Sequence, residues 1–326
     1  MIDPPHESDG PAVLADWLKL VTVLSLAKTG YVDQVLGSAD IAGDTDVEDI
    51  AAYDAARDSL SEAIGEEIAR RLGALDIDAY PFAISKNGEA LNLRPELTYG
   101  HLAYLSCLLI SQSWKSGKLT YPARLTEAEL RDARVNFEVL TAVSAVGLAT
   151  GPSFLLGTNR QGAEGLLKRI EHLCNTVGEG TARSQMHDSA PDFANDDGVD
   201  VLAIHQEVDG PPHVMFWFCQ SAAGENYRNK PIINEIERFM EIWFEERPAN
   251  TSGALFFPAT IDNPGALYLT RRLGHLCHRL RMPRYARRGF DLIKKKAELL
   301  HYVDDVYGPR EWLRLCLERI MIDLST

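Results

Sequence analysis

The sequence predicts an α/β protein: a mainly helical N-terminal region followed by a mixed β-sheet flanked by helices. Three observations carry this expectation. Val13, Leu14, Trp17, Leu18, Val21 and Leu24 recur at helical spacing, and residues 99–113 form a second, almost wholly apolar helical run. Two extended runs, 199–206 and 213–220, are joined by the turn-forming Val208-Asp209-Gly210-Pro211-Pro212. A helical stretch over 226–245 then separates the second run from an apolar strand at 253–259, the arrangement of a crossover between parallel strands.

Taken in order, the first helix is expected over 11–28. Thr45-Asp46-Val47-Glu48 offers a capping-box-like start for a helix reaching about residue 72. An extended piece at 80–84 turns at Lys86-Asn87-Gly88 before the buried helix 99–113. Residues 115–124, with Gly117 and Pro122, read as a linker between an acidic helical domain (1–120) and an α/β domain (125–326). Beyond it, Thr126-Glu127-Ala128-Glu129 opens a long helix to about 148. A short apolar piece at 154–157 and a helix at 162–177 follow, and 309–324 closes the chain as a helix.

Composition narrows the class. The 326 residues are 45% hydrophobic and 25% charged, as in ordinary globular proteins. No apolar run approaches the roughly 18 residues of a membrane span, and MIDPPHESDG lacks the features of a secretory signal. The five cysteines are scattered without a CxxC pair, so neither a zinc ribbon nor a disulfide framework is expected, and the expected compartment is the cytoplasm. GxSxG, GxxxxGK[ST] and GxGxxG are all absent, which leaves serine-elbow hydrolase, NTPase and Rossmann readings unsupported. His275 and His278, flanking Cys277, read as packing residues. The net charge of −14 is unevenly spread: residues 1–98 hold 19 acids and 7 bases, whereas 271–296 hold 10 bases and one acid. Such a basic stretch can attract phosphate, or can answer the acidic half of the chain.

One constellation carries chemistry. In a hairpin centred near residue 210, positions summing to about 420 stand opposite each other, so Asp200 faces Gln220. A carboxylate and an amide oxygen then point to one place, and both are hard ligands of the kind Mg²⁺ accepts. Glu138 lies beside the apolar stripe Phe137, Leu140, Val143 and can bring a second carboxylate to the sheet edge.

A helix-borne Phe137-Glu138, then Asp197-Gly198-Val199-Asp200, then Gln220 resembles the Mrr-like branch of the PD-(D/E)xK restriction-endonuclease superfamily, over roughly residues 127–281. The stretch Gly224-Glu225-Asn226-Tyr227-Arg228-Asn229-Lys230 is similar to one in bacterial defence-associated nuclease-like proteins. The resemblance implies a restriction-endonuclease-like core and hydrolysis of nucleic-acid phosphodiester bonds, DNA first. It also implies Mg²⁺ (or Mn²⁺) held by Asp200, Glu138 and Gln220, and a setting in anti-phage defence or restriction. The pattern departs at Ala222, where the family has the lysine of Gln-x-Lys. Lys230 and Arg228 are the nearest replacements; Lys230, sharing a helical face with Asn226, is the one expected to complete the catalytic set Asp200, Gln220, Lys230, Glu138. Arg228, Arg279, Arg281, Arg287 and Arg288 are the expected contacts to the nucleic-acid backbone. The alternative is a catalytically silent relative that binds DNA or another defence protein. A homodimer is compatible with either.

Overall fold

The computed structural model describes residues 2–6, 9–42, 50–158, 161–191, 193–261 and 263–325. The chain begins with α1 (Pro11–Leu24), β1 (Thr29–Tyr31), α2 (Val32–Ala42) and α3 (Ile50–Leu75), then β2 (Phe82–Ile84), β3 (Ala90–Leu93) and α4 (Tyr99–Gln112). Next come α5 (Glu127–Ala149), β4 (Ser153–Leu155), α6 (Gly162–Val177), β5 (Thr181–Ala182), β6 (Val201–His205) and β7 (Met215–Ser221). The last part holds α7 (Ile232–Trp243), β8 (Phe244–Glu246), β9 (Thr251–Phe256), α8 (Asn263–Leu273), β10 (His275–Cys277), α9 (Met282–Lys295), β11 (Leu300–His301) and α10 (Gly308–Ser325).

The architecture is mixed α/β. Six strands form the main sheet in the order β10-β9-β7-β6-β4-β11. β6 and β7 are antiparallel with Val201 opposite Cys219, and β7 and β9 are parallel across the α7 crossover. Both relationships follow from the turn at 208–212 and the helical run after it. Period-two alternation along β7 sends Phe216 and Phe218 to one face, against α6 and α7. Trp217 and Cys219 go to the other, where α1, α4, α5, α9 and α10 form a continuous core. The N-terminal helices thus complete the cover of one sheet face. Among the described residues no helix is long and apolar enough to cross a membrane, and all five cysteines are free and buried.

Local signals place α5 well: Thr126 and Glu129 cap each other's backbone amides reciprocally. The first helix stops at Leu24, short of residue 28. The capping signal at 45–48 lies outside the described residues. One expectation is corrected at 226–245. Residues 227–229 form a single 3₁₀ turn, and α7 starts only at Ile232. Pro231 explains this, because the residue before a proline is pushed out of the α region. Asn226 and Lys230 therefore do not share a helical face.

α5 and α9 cross with their backbones in contact at Gly147 and Gly289. A Cβ on Gly289 would run into the Val143 carbonyl and stand 2.9 Å from the Gly147 nitrogen. Backbone cannot yield as a side chain can, so Gly289→Ala should cost about 3 kcal/mol, the upper part of the usual overpacking range. A urea midpoint unchanged from that of the parent chain would refute this tight crossing.

Candidate functional site

The hairpin register carries one step beyond Val201–Cys219, so Asp200 and Gln220 stand across from each other at the open ends of β6 and β7. Both are buried. The backbone amide of Ser221 donates to Asp200 Oδ2 at 2.7 Å. The Asp200 carbonyl accepts from Leu156 N at 2.7 Å and Gly157 N at 3.2 Å. These bonds lock the strand mouth to the turn after β4.

That turn brings in α5. A Cβ on Gly157 would sit 3.0 Å from Glu138 Oε2 and 3.2 Å from Asp200 Oδ1, so the two carboxylates converge over a glycine that leaves the space between them open. Phe137, Leu140 and Val143 are fully buried and orient α5 so that Glu138 reaches this point. Thr141, one turn on, meets the Ser221 hydroxyl at 3.3 Å. Lys230 donates from Nζ to the Ser221 carbonyl at 3.2 Å, which draws its ammonium to the carboxylate end of the sheet. The structure thus brings Glu138, Asp200 and Lys230 together, while Gln220 is tied to them only by its backbone place across from Asp200.

The electrostatics of the cluster are unfavourable as it stands. Burial pushes the Glu138 carboxyl up to about 8, with the Asp200 and Asp196 charges adding and Lys230 opposing. Burial also raises Asp200 well above the usual carboxylate range, and Asp196 pushes the same way; the Ser221 amide and Lys230 pull back. Gln220 Oε1 is buried with no hydrogen-bond partner among the described residues. Crowded carboxylates held out of water are what a hard divalent cation would satisfy. Among the described residues no three His, Cys, Asp or Glu side chains gather closely enough to form a metal site by themselves. The fit to Mg²⁺ or Mn²⁺ therefore counts on water or substrate oxygens besides Glu138 and Asp200.

Two contributors escaped the sequence reading. Asp196 faces Asp200, its Oδ1 accepting from Gly198 N at 2.9 Å; the acid-rich run Asp196-Asp197-Gly198-Val199-Asp200 was its only trace. Asp197, by contrast, turns away to Arg238 (2.9 Å) and to Trp243 Nε1 (2.9 Å), anchoring the loop on α7. Arg169 donates to the carbonyl of Leu155 at 2.6 Å and to Thr158 Oγ1 at 3.2 Å, bracing the turn that holds Gly157. Nothing in its local sequence marks it.

The expected backbone-contacting arginines divide. Arg228 is exposed, its guanidinium over the Tyr227 ring. Arg281, Arg287 and Arg288 line a separate cavity along α9. Arg279 is corrected: it is 1% exposed and ion-paired to Asp16, with its Nη1 3.4 Å from Ser111 Oγ. A guanidinium so enclosed cannot reach phosphate, because the buried Asp16 carboxylate draws it inward. His275 meets the Tyr285 hydroxyl at 3.2 Å, in keeping with a packing role. No family model, no curated protein and no solved structure matches this chain.

Proposed function

We propose that the chain is a metal-dependent nuclease that hydrolyses phosphodiester bonds in nucleic acid, DNA foremost. The observation that carries this is the convergence of the Glu138 and Asp200 carboxylates over Gly157, with the Lys230 ammonium drawn to the same strand ends. Glu138, Asp200 and Gln220 would hold Mg²⁺ or Mn²⁺, which supplies Lewis-acid chemistry and acidifies water at neutral pH. Lys230 holds a compact positive charge where the nucleophile and the phosphate oxygens gather, and offsets charge that develops as the bond breaks. Asp196, facing Asp200, adds negative charge at the position a cation would fill. Arg228, at the exposed rim, contacts the backbone without reading bases. The resemblance to Mrr-like defence nucleases points the same way.

A silent DNA- or partner-binding relative is the second reading. It is favoured by Ala222, which is 1% exposed and packed with Tyr227, Leu255 and Phe257, where a Gln-x-Lys lysine would have no room. The test is direct. The purified chain is incubated with Mg²⁺ or Mn²⁺ and linear, supercoiled or single-stranded DNA, or RNA. Cleavage that EDTA abolishes is the expected result; intact substrates throughout, with DNA still bound, would hand the case to the second reading.

A further inference from the structure

Away from the carboxylate cluster, α9 and the residue before it carry cations at 281, 284, 288 and 295, the spacing of one helical face. Opposite them stands the turn from α3 towards β2, with Ala74, Asp76, Asp78 and Ala79. Between the two lies a cavity of about 710 Å³, which Arg287 also lines. None of Glu138, Asp200, Gln220 or Lys230 borders it. Its volume falls within the roughly 300–1,000 Å³ of small-molecule sites.

Its cations are only partly answered. Arg284 stands 3.8 Å from Asp76, and Arg287 pairs with Asp291 at 2.6 Å. Arg281 gives one nitrogen to the Leu276 carbonyl and has no carboxylate partner among the described residues. Arg288 and Lys295 are exposed and have no ion-pair or hydrogen-bond partner among the described residues. The field is felt next door: burial pushes the His278 ring down to about 3, and Arg281 and Arg279 push with it. The wall also offers Tyr285, Leu280 and Leu292 to an apolar or aromatic group. Asp76 and Asp78 on the facing rim would repel a long polyanion laid across the opening, whereas a compact anion can sit between the cations and those carboxylates.

We propose that this cavity binds a compact phosphorylated small molecule of nucleotide size, its phosphates on Arg281, Arg288 and Lys295 and its organic part against Tyr285 and Leu292. The site is independent of the nuclease reading. The test is calorimetric titration of the full chain with ATP and, separately, with inorganic tripolyphosphate, in EDTA so that no divalent ion can recruit either to the carboxylates. ATP should bind with a Kd below about 1 mM, and more tightly than tripolyphosphate because only ATP fills the apolar wall. Arg288→Glu with Lys295→Glu, both on the surface, should weaken ATP by at least about tenfold at an unchanged melting temperature, while Asp200→Asn should leave ATP binding intact. Three outcomes overturn the proposal: no heat with either probe, ATP binding that the double reversal leaves unmoved, or a duplex DNA that binds through Arg288 and Lys295 and is not displaced by ATP. The last would mark a nucleic-acid track.

Discussion

Asp200→Asn should abolish metal-dependent cleavage, lowering turnover by at least about a thousandfold, while the chain stays folded. The size follows from the several kcal/mol of charge stabilisation that a bound divalent ion supplies, at about 1.4 kcal/mol per factor of ten. An asparagine keeps an acceptor for the Ser221 amide, so the strand mouth keeps its geometry. Stability separates lost chemistry from lost fold. A carboxyl whose folded-state pKa is raised takes stability away as pH climbs from its unfolded value, about 4, through its folded value, about 8 for Glu138. The metal-free parent chain should therefore weaken over that window, and Asp200→Asn, which removes one of the crowded charges, should weaken less. Lys230→Ala should cut turnover by about a hundredfold or more with metal affinity nearly kept, and Lys230→Arg should rescue poorly because a planar guanidinium cannot replace a compact ammonium. Single-turnover kinetics and melts from pH 4 to 9 read all of this. Cleavage that survives Asp200→Asn places the chemistry elsewhere; weaker DNA binding with unchanged turnover in Lys230→Ala makes that lysine a phosphate contact.

Asp16→Ala should cause the largest loss of stability, about 3–5 kcal/mol, because it strips the counter-ion from a buried cluster of cations. Asp16 is 5% exposed and stands among Lys19, Arg71 and Arg279, themselves 0%, 0% and 1% exposed. It pairs with Arg71 and Arg279 and lies 3.5 Å from Lys19. Burial alone would raise its carboxyl, yet the three cations hold it well below the usual range. Lys19 shows the opposite stress: burial, then the Arg71 charge, drives its ammonium well below its ordinary value. Lys19→Met should accordingly be mild or stabilising, since it removes a charge the site resists while keeping the volume. Urea unfolding of both variants checks the pair. An Asp16→Ala loss below about 1 kcal/mol would show that the cluster carries far less than buried pairs usually do.

What could be read from the sequence was what short-range chemistry dictates. The reciprocal Thr126–Glu129 cap began α5, an apolar stripe fixed its buried side, and the turn at 208–212 set the pairing that puts Asp200 across from Gln220. The crossover of α7 between parallel strands followed from helical periodicity between two apolar runs. What local pattern could not decide was where long polar side chains end. Arg279 looked like one more cation of a basic stretch, but Asp16, 263 residues away along the chain, draws it inside. Lys230 did not need a helix to reach the site; Pro231 delays α7, and the Ser221 carbonyl holds the ammonium instead. Asp196, Arg169 and the open space over Gly157 became visible only once α5, β4, β6 and β7 were packed together. Backbone elements answer to periodicity and caps within a few residues. The position and charge state of an ionisable side chain answer to burial and to partners that only the tertiary fold brings near.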